Sequence, residues 1–186
     1  MKKMFRSIIL GASFLPLFAH AQLVSEGTIK VGKDEKKGFI AACKNSRAEI
    51  KIALEGKLKE ANLDKHSKKK GFYTYKGVVW SVASANKIDL CYAIKGKKRR
   101  AKIYLVASKG YDNYITSGSD ATAAGNISIF LQQIDAEADK NIEIKKKEDE
   151  IAKANEKLQA DQAKAKKAEE DKKKKDAELQ KLKEGS

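Results

Sequence analysis

Among the residues whose types could do chemistry, two short basic runs stand out: DKHSKKK at 64–70 and KGKKRR at 95–100. They supply Lys65, Lys68, Lys69, Lys70, Lys95, Lys97, Lys98, Arg99 and Arg100. Cationic groups gathered in one neighbourhood raise a positive potential and hold a polyanion by releasing its counterions. The chemistry on offer is therefore binding, with an acidic glycan, a lipid headgroup, a nucleic acid or an acidic protein patch as ligand class. Turnover has weaker support. His66 is the only histidine after residue 21, and a working base would need an orienting partner, for which only Asp64 is near in sequence. A solvated loop residue is the expectation for it.

The remaining reactive types point the same way. Cys43 and Cys91 are the only cysteines. The first sits on an apolar stripe read as helical and the second alternates to the opposite face of a strand, so two separate small hydrophobes are expected ahead of a disulfide. One histidine and two cysteines on different elements do not make a metal site. There is no C-x-x-C pair, H-E-x-x-H, G-x-S-x-G, Walker loop or dinucleotide fingerprint. The reading is a non-enzyme with no cofactor. Asn126-Ile127-Ser128 fits a glycosylation acceptor but falls at a helix start beside a bacterial-type leader, and is discounted. Phe72, Tyr73, Tyr75, Trp80, Tyr92 and Tyr104 could stack bases on a sheet face, yet at alternating strand positions they read as core.

Which elements must position these residues? The first 21, MKKMFRSIILGASFLPLFAHA, have a basic start, an apolar run from Ile8 to Phe18 and small residues around His20. That is a signal-peptide layout, so the chain is expected to be exported, to the periplasm or outside the cell, and to begin at Gln22. No later stretch approaches the ~20 apolar residues of a membrane span.

Charge then divides the rest. The sequence has 40 basic and 25 acidic residues, three of the basic ones in the leader. Residues 127–186 hold 15 lysines against 15 acids, whereas 22–126 hold 22 basic residues against 10 acidic. The positive excess therefore belongs to the front segment. From 126 to 184 there is neither proline nor glycine, and the Ala, Lys, Glu, Gln and Leu content favours helix, so one helix is expected from about 121 to 183. Acid-first pairs at four-residue spacing, such as Glu143/Lys147 and Glu169/Lys173, support it. A heptad runs through Ile144, Ile151, Leu158, Ala165, Lys172 and Leu179, with companions Lys147, Ala154, Asp161, Ala168, Lys175 and Leu182. Its charged layers rule out a strong zipper and leave either a weak coiled coil or a solvated helix that packs with a partner.

The front segment reads as one small α+β domain of order β-α-β-β-β-α: a strand at 23–31, a helix at 34–62 opened by Asp34, strands at 71–84, 87–95 and 100–108, then the long helix capped by Ser119 or Asp120. An antiparallel sheet with both helices on one face is the simplest packing. The domain is placed at 22–142, with the extended charged helix at 143–186. In this topology the runs 64–70 and 95–100 fall at the same end of the sheet. The final helix descends past that end with Asp135, Glu137, Asp139, Glu143, Glu148, Asp149 and Glu150, which gives the competing expectation that these acids neutralise the basic runs internally.

The elements AHAQ, KGFYTYKGV and the tail from KNIEIKKKEDEIAKANEKLQ onward resemble, in architecture, small secreted proteins of unknown function from Bacteroidota. The strand and helix order is also similar to one half of a TATA-binding-protein-like fold, which does not by itself imply DNA binding. The resemblance carries no functional residues. Together these features favour a non-catalytic exported interaction or envelope-associated module, a basic head on a helical stalk with a protein partner or self-association through the stalk. The alternative is a polyanion-binding protein using the two basic runs.

Overall fold

The structure, a computed structural model, describes residues 24–63, 65–96 and 100–184. The leader expected over 1–21 lies outside them. The fold is α+β: strands β1 (Val24–Val31), β2 (Asp34–Ala42), β3 (Ser67–Lys69), β4 (Phe72–Trp80), β5 (Ser84–Lys95) and β6 (Lys102–Ser108), with helices α1 (Arg47–Glu60) and α2 (Ala121–Glu184). The sheet is antiparallel in the order β1-β2-β6-β5-β4-β3. The element order thus gains two strands over the four expected.

One of them replaces the first third of the expected helix at 34–62. Gly32 and Lys33 form a two-residue turn, with Gly32 at φ +71°, and Val31 pairs with Asp34 across it. A turn of that length and conformation closes a hairpin, so the chain continues as β2. Asp34 therefore opens a strand, and Cys43 lies just past that strand's end. α1 starts thirteen residues later at Arg47, capped by Ser46, whose hydroxyl accepts from the Glu49 N–H while Glu49 accepts from the Ser46 N–H at 2.8 Å. This reciprocal capping satisfies two N-terminal donors. The helix stops at a left-handed Asn62 (φ 60°): the Asn62 N–H donates to Lys59 and the Leu63 N–H to Leu58, and Leu58 and Leu63 are both buried. The second addition, β3, is only three residues long and returns through the turn Lys70-Gly71, both at positive φ.

Both helices cover one face of the sheet. Ile50, Ala53, Leu54 and Leu58 of α1 join Ala123, Ala124, Ile127, Leu131, Ile134 and Ala138 of α2 over Phe39, Tyr75, Trp80, Ile88, Leu90, Tyr92, Ile103 and Leu105. Phe130 meets Trp80 edge-on at 5.1 Å. Asp120 caps α2 by accepting from the Ala123 N–H at 3.0 Å. Ala138 is the last buried residue of α2, and every residue from Glu143 to Leu179 is exposed.

The opposite face carries no helix among the described residues and has a second, smaller core of Ile29, Phe72, Cys91, Ala93 and Val106. Ile29 and Phe72 belong to strands four places apart in the sheet, with Val106, Cys91 and Ala93 on the strands between them. The Lys70 side chain, from the turn between β3 and β4, lies against Gly32 in the turn between β1 and β2, so the sheet is strongly coiled and its opposite corners approach. Cys43 belongs to the helix-side core and Cys91 to the other, so no disulfide joins them. Among the described residues no helix is long and apolar enough to cross a membrane.

Candidate functional site

Strand pairing determines what the basic residues do. Lys69 pairs with Phe72 at the start of β4, and Tyr73 pairs with Tyr92 three residues before β5 ends at Lys95. The β3–β4 hairpin and the exit of β5 therefore share one end of the sheet. Lys65, Lys68, Lys69, Lys70, Lys95 and Arg100 are all exposed there, whereas Lys97, Lys98 and Arg99 lie outside the described residues.

These groups are divided between the two faces. On the helix side, the Lys68 and Lys51 ammonium groups lie 5.1 and 5.6 Å from the Tyr73 ring centroid. They border an open groove completed by Ser46, Arg47, Glu49 and Gly96. On the helix-free side, the Lys95 ammonium stands 5.1 Å from the Tyr104 ring and 5.9 Å from Phe72, with Lys70 reaching toward Gly32. Aromatic faces attract such cations while leaving their outer hydrogens for a ligand. The basic end is a rim running over the tip of the sheet.

Tyrosines form the floor beneath the helix-side groove. Tyr73 and Tyr75 stack on Tyr92 at 5.0 and 6.3 Å, and His66 meets Tyr73 and Tyr75 at 5.0 and 5.4 Å. The Tyr92 hydroxyl donates to Glu55 at 3.1 Å, and burial, with Tyr75 and Glu55 beside it, pushes that phenol far up. Tyr92 is therefore a fixed neutral donor. His66 packs as an aromatic edge on an exposed loop, with no carboxylate orienting it among the described residues.

Four of the seven acids of the helix exit segment are engaged elsewhere, while Glu148, Asp149 and Glu150 are exposed further along the stalk. Asp139 meets Lys44 at 2.6 Å, and Glu137 meets Lys57 at 3.6 Å. The hydrogen bond from Lys44 holds the Asp139 carboxyl below the usual range and, reciprocally, raises Lys44. Asp135, nearly buried, accepts from the Lys44 N–H at 2.9 Å, the Asn45 N–H at 3.3 Å and Asn45 Nδ2 at 3.2 Å. Glu143 closes on Lys147 at 2.8 Å within the helix. Among the described residues, none of Lys65, Lys68, Lys69, Lys70, Lys95 or Arg100 lies within ion-pair distance of a carboxylate. Internal neutralisation thus reaches the connector and α1, and stops short of the described part of the rim.

Arg47 and Lys51 belong to the groove and were not anticipated for it. The signal for them was Ser46-Arg47-Ala48-Glu49, a capping-box sequence that starts α1 beside the basic end. No group of acids, histidines and cysteines able to hold a metal occurs among the described residues. No protein-family model, curated protein or solved structure matches the chain.

Proposed function

We propose that this chain is a non-catalytic, exported interaction module in which a basic α+β head is carried on a helical stalk and takes a polyanion at the rim of its sheet. One observation carries the reading: six exposed cationic side chains gather at one end of the sheet with no carboxylate partner among the described residues, while Asp135, Glu137 and Asp139 are committed to Lys44, Asn45 and Lys57. Cations left solvated and clustered retain their long-range field, and the aromatic rings beneath Lys68 and Lys95 hold two of them in place. The stalk supplies distance. Residues 143–184 rise about 60 Å from the head.

A titration of the chain from Gln22 with a fluorescent heparin oligosaccharide at increasing salt tests this. Site binding predicts that log affinity falls linearly and steeply with log salt, since several counterions are released at once. A flat salt response, or no binding at low salt, would remove the polyanion reading.

A further inference from the structure

Beyond Ile144, which borders a shallow groove with Ala48 and Ile52 of α1, the stalk carries an apolar row that nothing among the described residues covers. Of the large hydrophobic side chains exposed among the described residues, Ile144, Ile151, Leu158 and Leu179 lie on α2 beyond the head, 46 to 61 % exposed. Ile144, Ile151 and Leu158 follow one another at seven residues, and Leu179 falls three heptads further on in the same phase, after Ala165 and Lys172. Seven-residue recurrence on one helix is the pattern that a facing helix covers.

The charges in and beside this row say which helix. In a parallel, in-register pair each copy would set Lys147, Asp161, Lys172 and Lys175 against themselves, and would bring Asp171 toward Asp176 of the second copy. Like charges in facing layers repel, so that arrangement is disfavoured. Antiparallel pairing has one register free of this conflict. With Ala165 against Ala168 of the second copy, Ala154 faces Leu179 and Asp161 faces Lys172. Leu158 then lies under the long stem of Lys175, whose ammonium can reach water. In the flanking positions Lys164 meets Asp171 and Lys157 meets Glu178. Two-fold symmetry repeats each pair. Sliding one heptad either way sets Lys164 against Lys164 or Asp171 against Asp171.

We propose that α2 pairs with α2 of a second copy of this chain, antiparallel and in the Ala165–Ala168 register, through the face bearing Ile151, Leu158 and Leu179. The overlap runs from about residue 150 to the helix end, on the order of 50 Å. Each head, whose last buried helical residue is Ala138, lies beyond the end of the other helix. The dimer therefore holds two basic rims at opposite ends of one rod, and a polyanion long enough to span them gains from the second contact through effective concentration.

Orientation is tested by cross-linking the chain from Gln22. An Ala154→Cys chain is mixed with a size-tagged Leu179→Cys chain and oxidised; in the proposed register these positions face each other, whereas two copies of residue 154 stand roughly 37 Å apart. The mixed disulfide is the expected product. Strength is tested by sedimentation equilibrium of charge variants that keep all apolar residues. Lys164→Glu should weaken the dimer roughly tenfold, since two attractive pairs become repulsive, and adding Asp171→Lys should restore it. Circular dichroism checks that both variants stay helical. The proposal stands on the mixed product together with the recovery. Self-linking of Ala154→Cys, a monomer up to millimolar chain, or a double variant no tighter than the single one overturns it.

Discussion

Asp135 shows how one side chain can position a whole helix. Its carboxylate, 8 % exposed, gathers two backbone N–H groups and the Asn45 amide where the chain leaves β2 and enters α1. Asp135→Ala leaves the Lys44 and Asn45 N–H groups without that acceptor in a partly buried connector, while the Asn45 amide keeps Asp139, and should cost about 1 to 2 kcal/mol of unfolding free energy in a urea titration. Asp139, one turn on, gives a pH signature. Its folded pKa is depressed, chiefly by the hydrogen bond from Lys44, so its contribution is present above the ordinary carboxylate pKa of ~3.9 and is lost as pH falls through the lower folded value. Asp139→Asn should therefore reduce stability at neutral pH and flatten its decline toward about pH 3, as read by urea midpoints. In sequence both residues look like members of an acidic run at the base of a tail. Their partners lie about ninety residues away, and only the antiparallel return of β2 beside β6 brings that connector to α2.

At the scale of elements, the segment 34–62 teaches the most. Phe39, Cys43, Ile50 and Leu54 fall at helical spacing, and Asp34 looks like a cap, yet β2 fills its first third. Two local signals ran against a single helix: the Gly32-Lys33 turn and the Ser46–Glu49 capping box. Gly38 was a third. It sits where β2 crosses β6 so closely that a Cβ would overlap the Leu105 carbonyl oxygen and press on methyls of Ile29 and Val106. Gly38→Val should therefore destabilise the head by roughly 1 to 3 kcal/mol in thermal or urea unfolding, a cost that a helical Gly38 would not impose. The strands from 72 to 108 were legible because Ile88, Leu90, Tyr92 and Ile94 alternate cleanly with residues of the other face. The start of α2 and its buried Ile127, Leu131 and Ile134 were legible for the corresponding helical reason. The second core was not. It is assembled across the helix-free face from residues of β1, β4, β5 and β6, and no local pattern relates the first of these to the rest.

Across the whole molecule, charge and shape divide along the same line. The front segment holds most of the positive excess and the packed cores, while the stalk holds nearly balanced charge, a surface exposed from Glu143 to Leu179 and an apolar row. Because Asp135, Glu137 and Asp139 are occupied by Lys44, Asn45 and Lys57, the described rim keeps its field, and the stalk lysines, 14 over residues 143–186 against 12 acids, should contribute little to anion capture. The most direct measurement compares two charge reversals of equal size in one heparin-oligosaccharide titration. One variant carries Lys68→Glu, Lys95→Glu and Arg100→Glu on the rim; the other carries Lys166→Glu, Lys167→Glu and Lys174→Glu on the stalk, away from its apolar row. The rim variant is expected to lose tenfold or more in affinity, roughly 1.4 kcal/mol, together with much of the salt slope, while the stalk variant stays close to the unaltered chain. Equal losses in both, or a loss confined to the stalk variant, would contradict the account.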